Sequence, residues 1–254
     1  MKKILIVIAI VVIGSIAWNL YKKHYPDAMP KATEEVITLS PIVGGVIYDR
    51  SGSSPLNKIP IPAKSELLEW CNLTTNRDVY LFFGEIQSNS TQNFLRCEFP
   101  AFKLNKPLKP DRAEFTSKQY TQALKIYSKK MQQYELDSIQ YFDQRQVHIN
   151  AFAGKIEAYF ADIKNYSNYT DIYTALGVVN TIYNEFSKSD NFLILLSDGQ
   201  NTRKDIDTTS FNHKVYTVLV NGAGIRKTSI DNMINVRMES FAGSIRSIKN
   251  KFNL

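Results

Sequence analysis

Short apolar runs rich in β-branched and aromatic residues alternate along this chain with segments of helical periodicity. That alternation narrows the fold more than any other feature. Val43–Tyr48, Asp78–Ile86, Phe192–Leu196 and Lys214–Val220 are too short for buried helices and read as strands covered on both faces. Between them, Pro62–Cys71 reads as a short helix and Thr116–Phe142 as a long one. Thr170 opens a further helix carrying Ala175, Leu176, Val179, Ile182, Tyr183 and Phe186 on one face. Strands alternating with helices predict an α/β fold with a doubly wound, mostly parallel sheet. At 254 residues and 44% hydrophobic content, the chain can bury one substantial core with extensions.

The remaining segments are read as follows. Thr116-Ser117-Lys118-Gln119 has the capping-box pattern, in which a hydroxyl and an amide satisfy the free N–H groups of a first helical turn. Tyr120, Leu124, Tyr127, Met131, Tyr134 and Ile139 then recur near helical spacing, a stripe that reads as core-facing before it reads as a binding face. Gln146–Phe152 alternates partly, Ala153-Gly154 offers a tight turn, and Ile156–Phe160 follows; together they predict a β-hairpin at the sheet edge. Residues 87–113 are expected to be irregular, broken by Pro100, Pro107 and Pro110. Ser229–Phe252 is expected to close the domain with one broken or two short helices.

Ile4–Leu20 is almost wholly apolar, with Lys2 and Lys3 before it and Lys22 and Lys23 after it. Its length lies at the short end for a transmembrane helix. Trp18-Asn19-Leu20-Tyr21 is a poor cleavage site, which favours an uncleaved anchor over a signal peptide. Residues 1–23 are therefore expected to be a single-pass anchor, 24–41 a proline-bearing linker, and 42–254 the folded domain. The leading lysines place the domain outside the cytoplasm, although lysines at both ends leave the positive-inside rule nearly balanced. The net charge of +7 comes without any DNA- or RNA-binding signature, so no nucleic-acid partner is expected. Cys71 and Cys97 could pair in an oxidising compartment or stay free in a reducing one. Three scattered histidines do not make a zinc site.

The chemistry concentrates in three loops. Asp49-Arg50-Ser51-Gly52-Ser53 directly follows the first strand, with a carboxylate and two hydroxyls at alternate positions. Tyr169-Thr170-Asp171 stands at a helix start. Ser197-Asp198-Gly199 follows the Phe192–Leu196 strand. Each has an ordinary reading: turn formers after a strand, or a helix cap. Together they offer oxygen ligands of the kind a hard divalent cation takes, and in a doubly wound sheet such loops fall on the ligand-binding edge. Arg50 and Arg203 flank the loops, and Glu85 ends a strand on the same edge.

In this order the three loops resemble those of a von Willebrand factor type A domain, whose metal-ion-dependent adhesion site lies at the carboxyl ends of a parallel sheet. The resemblance implies that Asp49, Ser51, Ser53, Thr170 and Asp198 hold Mg²⁺ (or Mn²⁺ or Ca²⁺), directly or through water. Asp171, Ser197 and Gly199 would stand behind them. It further implies a protein partner whose acidic residue completes the coordination, and no catalysis. It covers residues 42–54 and 115–254 well. Residues 55–114 depart from it and read as an inserted β-loop-α segment that widens the sheet. Two other functions stand beside this one. One is a scaffold or assembly factor whose metal site is structural or silent and whose insertion makes the contacts. The other is a metal-dependent hydrolase, disfavoured because no Gly-x-Ser-x-Gly elbow, Walker A loop or second set of carboxylates is present.

Overall fold

The structure is a computed structural model that describes residues 39–51, 58–86, 94–163, 167–186, 188–202, 210–221 and 228–254. The expected anchor (1–23), most of the linker, Gly52, Ser53 and Arg203 lie outside the described residues. Among the described residues no helix is long and apolar enough to cross a membrane.

Six strands form one sheet in the order β3-β2-β1-β4-β5-β6. They are β1 (Ile42–Asp49), β2 (Val79–Ile86), β3 (Leu95–Phe99), β4 (Asp190–Leu196), β5 (Val215–Val220) and β6 (Val236–Met238). All neighbours are parallel except β2 and β3. Among the described residues four α-helices cover the faces: α1 (Lys64–Cys71), α2 (Ser117–Ala161), α3 (Ile172–Asn184) and α4 (Phe241–Phe252). The fold is thus α/β with a mostly parallel sheet, as the alternation of elements predicts.

Side chains on successive strand residues point to opposite faces, and each face has its own core. Val46, Phe83, Ile194 and Val218 pack with Trp70 of α1, Phe152 of α2 and Ile245 of α4. Val43, Ile47, Phe82, Leu193 and Leu219 pack under α3 through Leu176, Val179 and Tyr183. Gly44 is required on the first face. A Cβ there would lie 1.9 Å from the Phe192 ring, which crosses β1 at that point.

Three expectations are corrected. The hairpin over 146–160 does not form, because those residues continue a 45-residue helix. Arg145, Ile149, Phe152, Ala153 and Ile156 are its buried positions, and their spacing is that of one helical face. The antiparallel edge is instead β3, inside the stretch expected to be irregular. Its side chains alternate between exposed and covered, and Pro100 follows its last residue rather than interrupting it. Residues 55–114 widen the sheet: β2 pairs directly with β1 along its whole length, and β3 pairs with β2. The C-terminal region forms a 3-10 turn (Asp231–Met233), β6 and a single helix. Cys71 and Cys97 are free thiols, and burial pushes the Cys71 thiol up to about 12.

Candidate functional site

The strand order reverses direction between β1 and β4, and open α/β sheets bind ligands in the crevice beyond such a point. Both strands end there in polar residues. Asp49 is the last residue of β1, and Ser197 and Asp198 follow β4. Asp49, Ser51, Thr170, Asp171, Ser197 and Asp198 are all buried, which is unusual for carboxylates and hydroxyls on loops.

Hydrogen bonds fix this group from within. One Asp49 carboxylate oxygen accepts from the Ser51 N–H at 2.9 Å. The other accepts from the Ser197 hydroxyl at 2.8 Å. The Ser197 oxygen in turn accepts from the Gly199 N–H at 2.9 Å, so Ser197 ties the ends of β1 and β4 together. Asp198 turns its own loop by accepting from the Gln200 N–H at 2.8 Å. Gly199 adopts φ +73, and a Cβ there would lie 2.6 Å from the Thr228 methyl. The position therefore needs glycine twice over, for conformation and for space.

The Thr170 loop is brought in by two connections. Ser51 forms a bridge with Ser167, supported by a 2.8 Å bond from the Ser167 N–H to the Arg50 carbonyl. On the other side the Thr170 N–H donates to the Thr202 hydroxyl at 2.8 Å. The Thr202 N–H returns a bond to the Thr170 carbonyl at 3.1 Å. Thr170 is not the helix cap that the sequence suggests. Asp171 is the N-cap of α3, accepting from the Thr174 N–H at 3.1 Å. Asn201 accepts from the Ile172 N–H at 3.0 Å. The first turn of α3 is thus capped by protein groups, and the Thr170 hydroxyl is released from capping duty.

The structure therefore brings Asp49, Ser51, Thr170, Asp171, Ser197, Asp198 and Gly199 to one edge. Ser53, the remaining expected ligand, lies outside the described residues. Sequence reasoning missed Ser167, Asn201, Thr202 and Ser229, which hold the loops in place. Asn201 and Thr202 share a loop with Asp198, but nothing in their residue types marks them. Arg50 and Glu85 do meet at the rim, with the guanidinium 3.3 Å from the carboxylate. Tyr159 of α2 also donates to Glu85. Burial, and then the Glu85 carboxylate, push the Tyr159 phenol up.

Burial pushes the Asp49 carboxyl above its usual range; the bonds from Ser51 and Ser197 oppose this, and the negative charge of Asp198 adds to it. A cation between the two carboxylates would relieve both the burial cost and the repulsion. The donor set is oxygen only, two carboxylates with hydroxyls, which suits a hard cation such as Mg²⁺. Among the described residues no three His, Cys, Asp or Glu side chains gather in one place, so an ion here would depend on hydroxyls and water as well as Asp49 and Asp198. In comparisons with known proteins, no family model and no curated protein matches this chain.

Proposed function

We propose that the chain is a membrane-anchored binding module of the von Willebrand factor type A kind, which captures a protein partner through Mg²⁺ or a similar divalent ion. The observation that carries this reading is the set of buried oxygens, Asp49, Ser51, Thr170 and Asp198, gathered by hydrogen bonds at the sheet's switch point. Ion binding there would use Asp49 and Asp198 for charge and the hydroxyls for coordination, with Ser53 as a further donor. An acidic side chain on the partner would fill an open position on the ion, and Arg50 at the rim would favour the same negative charge. The apolar Ile4–Leu20 segment would hold the chain in a membrane, with the domain outside the cytoplasm.

The test is calorimetric titration of Mg²⁺ and Mn²⁺ into the full chain beside Asp49→Ala and Asp198→Ala. Saturable binding that both substitutions abolish is the expected result. Binding that survives both would remove the proposed ion site. A second reading is a scaffold that works through its projecting helix, and it is favoured by the exposed apolar side chains Leu136, Ile139 and Val147 on α2. Partner capture that is indifferent to chelation would select it.

A further inference from the structure

The C-terminal part of α2 spans the sheet from one edge to the other. Tyr159, near its C-terminus, reaches Glu85 beside the candidate site. Arg145, sixteen residues from the end, is level with the start of β2. It donates to the Thr74 carbonyl at 2.6 Å and to the Pro100 carbonyl at 3.2 Å, and Phe99 pairs with Val79 there. From Arg145 back to Ser117 the helix continues past the sheet for about 40 Å. Residues 100–116 run with it: Phe102 packs on Tyr134, Tyr141 and Phe142, and Arg112 lies over Tyr120. The two segments form an arm pointing away from the candidate site.

The outer part of this arm holds most of the protein's net charge. Lys103–Lys130 contains eight Lys and Arg against two Asp and Glu, a net of +6 in a chain whose total is +7. All eight basic side chains are exposed. Among the described residues Lys103 alone of them pairs with a carboxylate, that of Asp78. Leu104, Leu108 and Ile126 are exposed among them. Lysines that surround exposed aliphatic side chains are the composition of a surface that sits on anionic lipid headgroups. For nucleic acid the aliphatic residues would be idle, and the arm's aromatics are packed on one another rather than presented for stacking.

The chain also enters the domain at the arm's edge. Ser40 and Pro41 are held there by Arg77 and by the Asp190 N–H. We propose that the arm Lys103–Lys130 is a docking surface for the anionic headgroups of a lipid bilayer. This does not require the anchor reading given above, and the experiment separates the two.

The full chain is reconstituted into lipid nanodiscs of phosphatidylcholine alone or mixed with phosphatidylserine, and amide hydrogen exchange is followed. Expected is slowed exchange over 103–130 in the anionic discs only, lost when salt shortens the Debye length to about 3 Å. Each lysine removed should weaken the contact about five-fold, so replacing Lys106, Lys109, Lys125 and Lys129 by Glu should abolish it. Equal exchange in both lipids with the chain incorporated would overturn the proposal and leave the anchor standing. A chain that does not enter discs would instead remove the anchor. Sedimentation with anionic vesicles would then decide for the arm if the four-Glu variant alone fails to bind, and against it if neither binds. Protection of 103–130 by duplex nucleic acid but not by anionic lipid would also overturn it.

Discussion

Helix α2 lives in two environments. From Arg145 to Ala161 it supplies Ile149, Phe152, Ala153 and Ile156 to the core. From Ser117 to Gln144 it buries no side chain at all, and its partner is an extended strip of the same chain. The inner part is held by apolar area removed from water, on the order of 25 cal/mol per Å². The outer part depends on helix propensity, the Thr116–Gln119 capping box and a seam of aromatic contacts. A helix this long shows how one element can anchor a domain at one end and present a surface at the other. It also means that substitutions of similar size should differ widely in cost along its length and around it.

The largest effect is expected under the inner part. Trp70 of α1 is fully buried against Phe152 of α2 and Phe241 of α4. Trp70→Ala should cost about 3–5 kcal/mol, read as a lower denaturant midpoint with an unchanged slope. Among the described residues the indole N–H has no hydrogen-bond partner, so Trp70→Phe should cost much less than the change in volume alone suggests. Equal losses for the two would mean that the site collapses poorly around any smaller ring.

Next comes the junction. Arg145 is buried, lies 5.4 Å from the Phe99 ring centre, and donates to the carbonyls of Thr74 and Pro100. Arg145→Ala should cost about 1–3 kcal/mol, because the half-buried Thr74 carbonyl loses its donor. Arg145→Lys should not restore it, since an ammonium lacks the planar fork that reaches both carbonyls. Hydrogen exchange should then quicken across 100–144 before it does in the sheet. Uniform quickening would show that the arm and the body unfold as one.

The same distinction between buried and exposed explains what could be read in the sequence. The parallel strands β1, β2, β4 and β5 were legible because each is a short, continuous apolar run, and Ile42–Asp49 falls within one residue of its expected limits at either end; the three-residue β6 was too short to be read. Residues 146–160 were misread because Val147, Ile149 and Ala151 mimic strand alternation. Val147 is in fact exposed, and the buried set follows Arg145 at helical spacing. The tyrosine stripe of 120–134 is likewise not core: it meets the strip 100–116, a partner that no periodicity in the helix could reveal. At the site, Asp49, Ser51 and Asp198 were legible because residue type and position after a strand coincide. Asp171 taking the cap from Thr170 was not, because either residue type caps a helix equally well.

A smaller effect is expected at the site itself. Asp49 titrates higher in the folded chain than in the unfolded one, owing first to burial. Its ionised form therefore costs stability at neutral pH. That cost fades as pH falls through the raised value and is gone below the ordinary carboxylate range. Without added metal, Asp49→Asn should stabilise the chain at pH 7, with no advantage in strong acid. With Mg²⁺ present the order should invert, since an ion bound only to the folded wild type stabilises it by mass action. Thermal unfolding at two pH values, with and without Mg²⁺, measures all four cases. An Asn variant that is no more stable at neutral pH would mean that Asp49's hydrogen bonds already offset its burial.

The smallest effect belongs to the outer helix, and it is the sharpest check on the comparison. Leu136 and Ile139 are 57% and 60% exposed, so truncating them removes little buried area and leaves no cavity. Alanine also has the best helix propensity, which offsets part of what contact is lost. Leu136→Ala and Ile139→Ala should each stay within about 0.5 kcal/mol of the parent, against several kcal/mol for Trp70→Ala. The comparison fails if either costs as much as a core truncation. That result would place these side chains inside an interface, because apolar groups exposed in a single chain become expensive to remove only when something covers them. Repeating the melts at several protein concentrations then distinguishes a second copy of this chain, whose contribution rises with concentration, from an intramolecular partner, whose contribution does not.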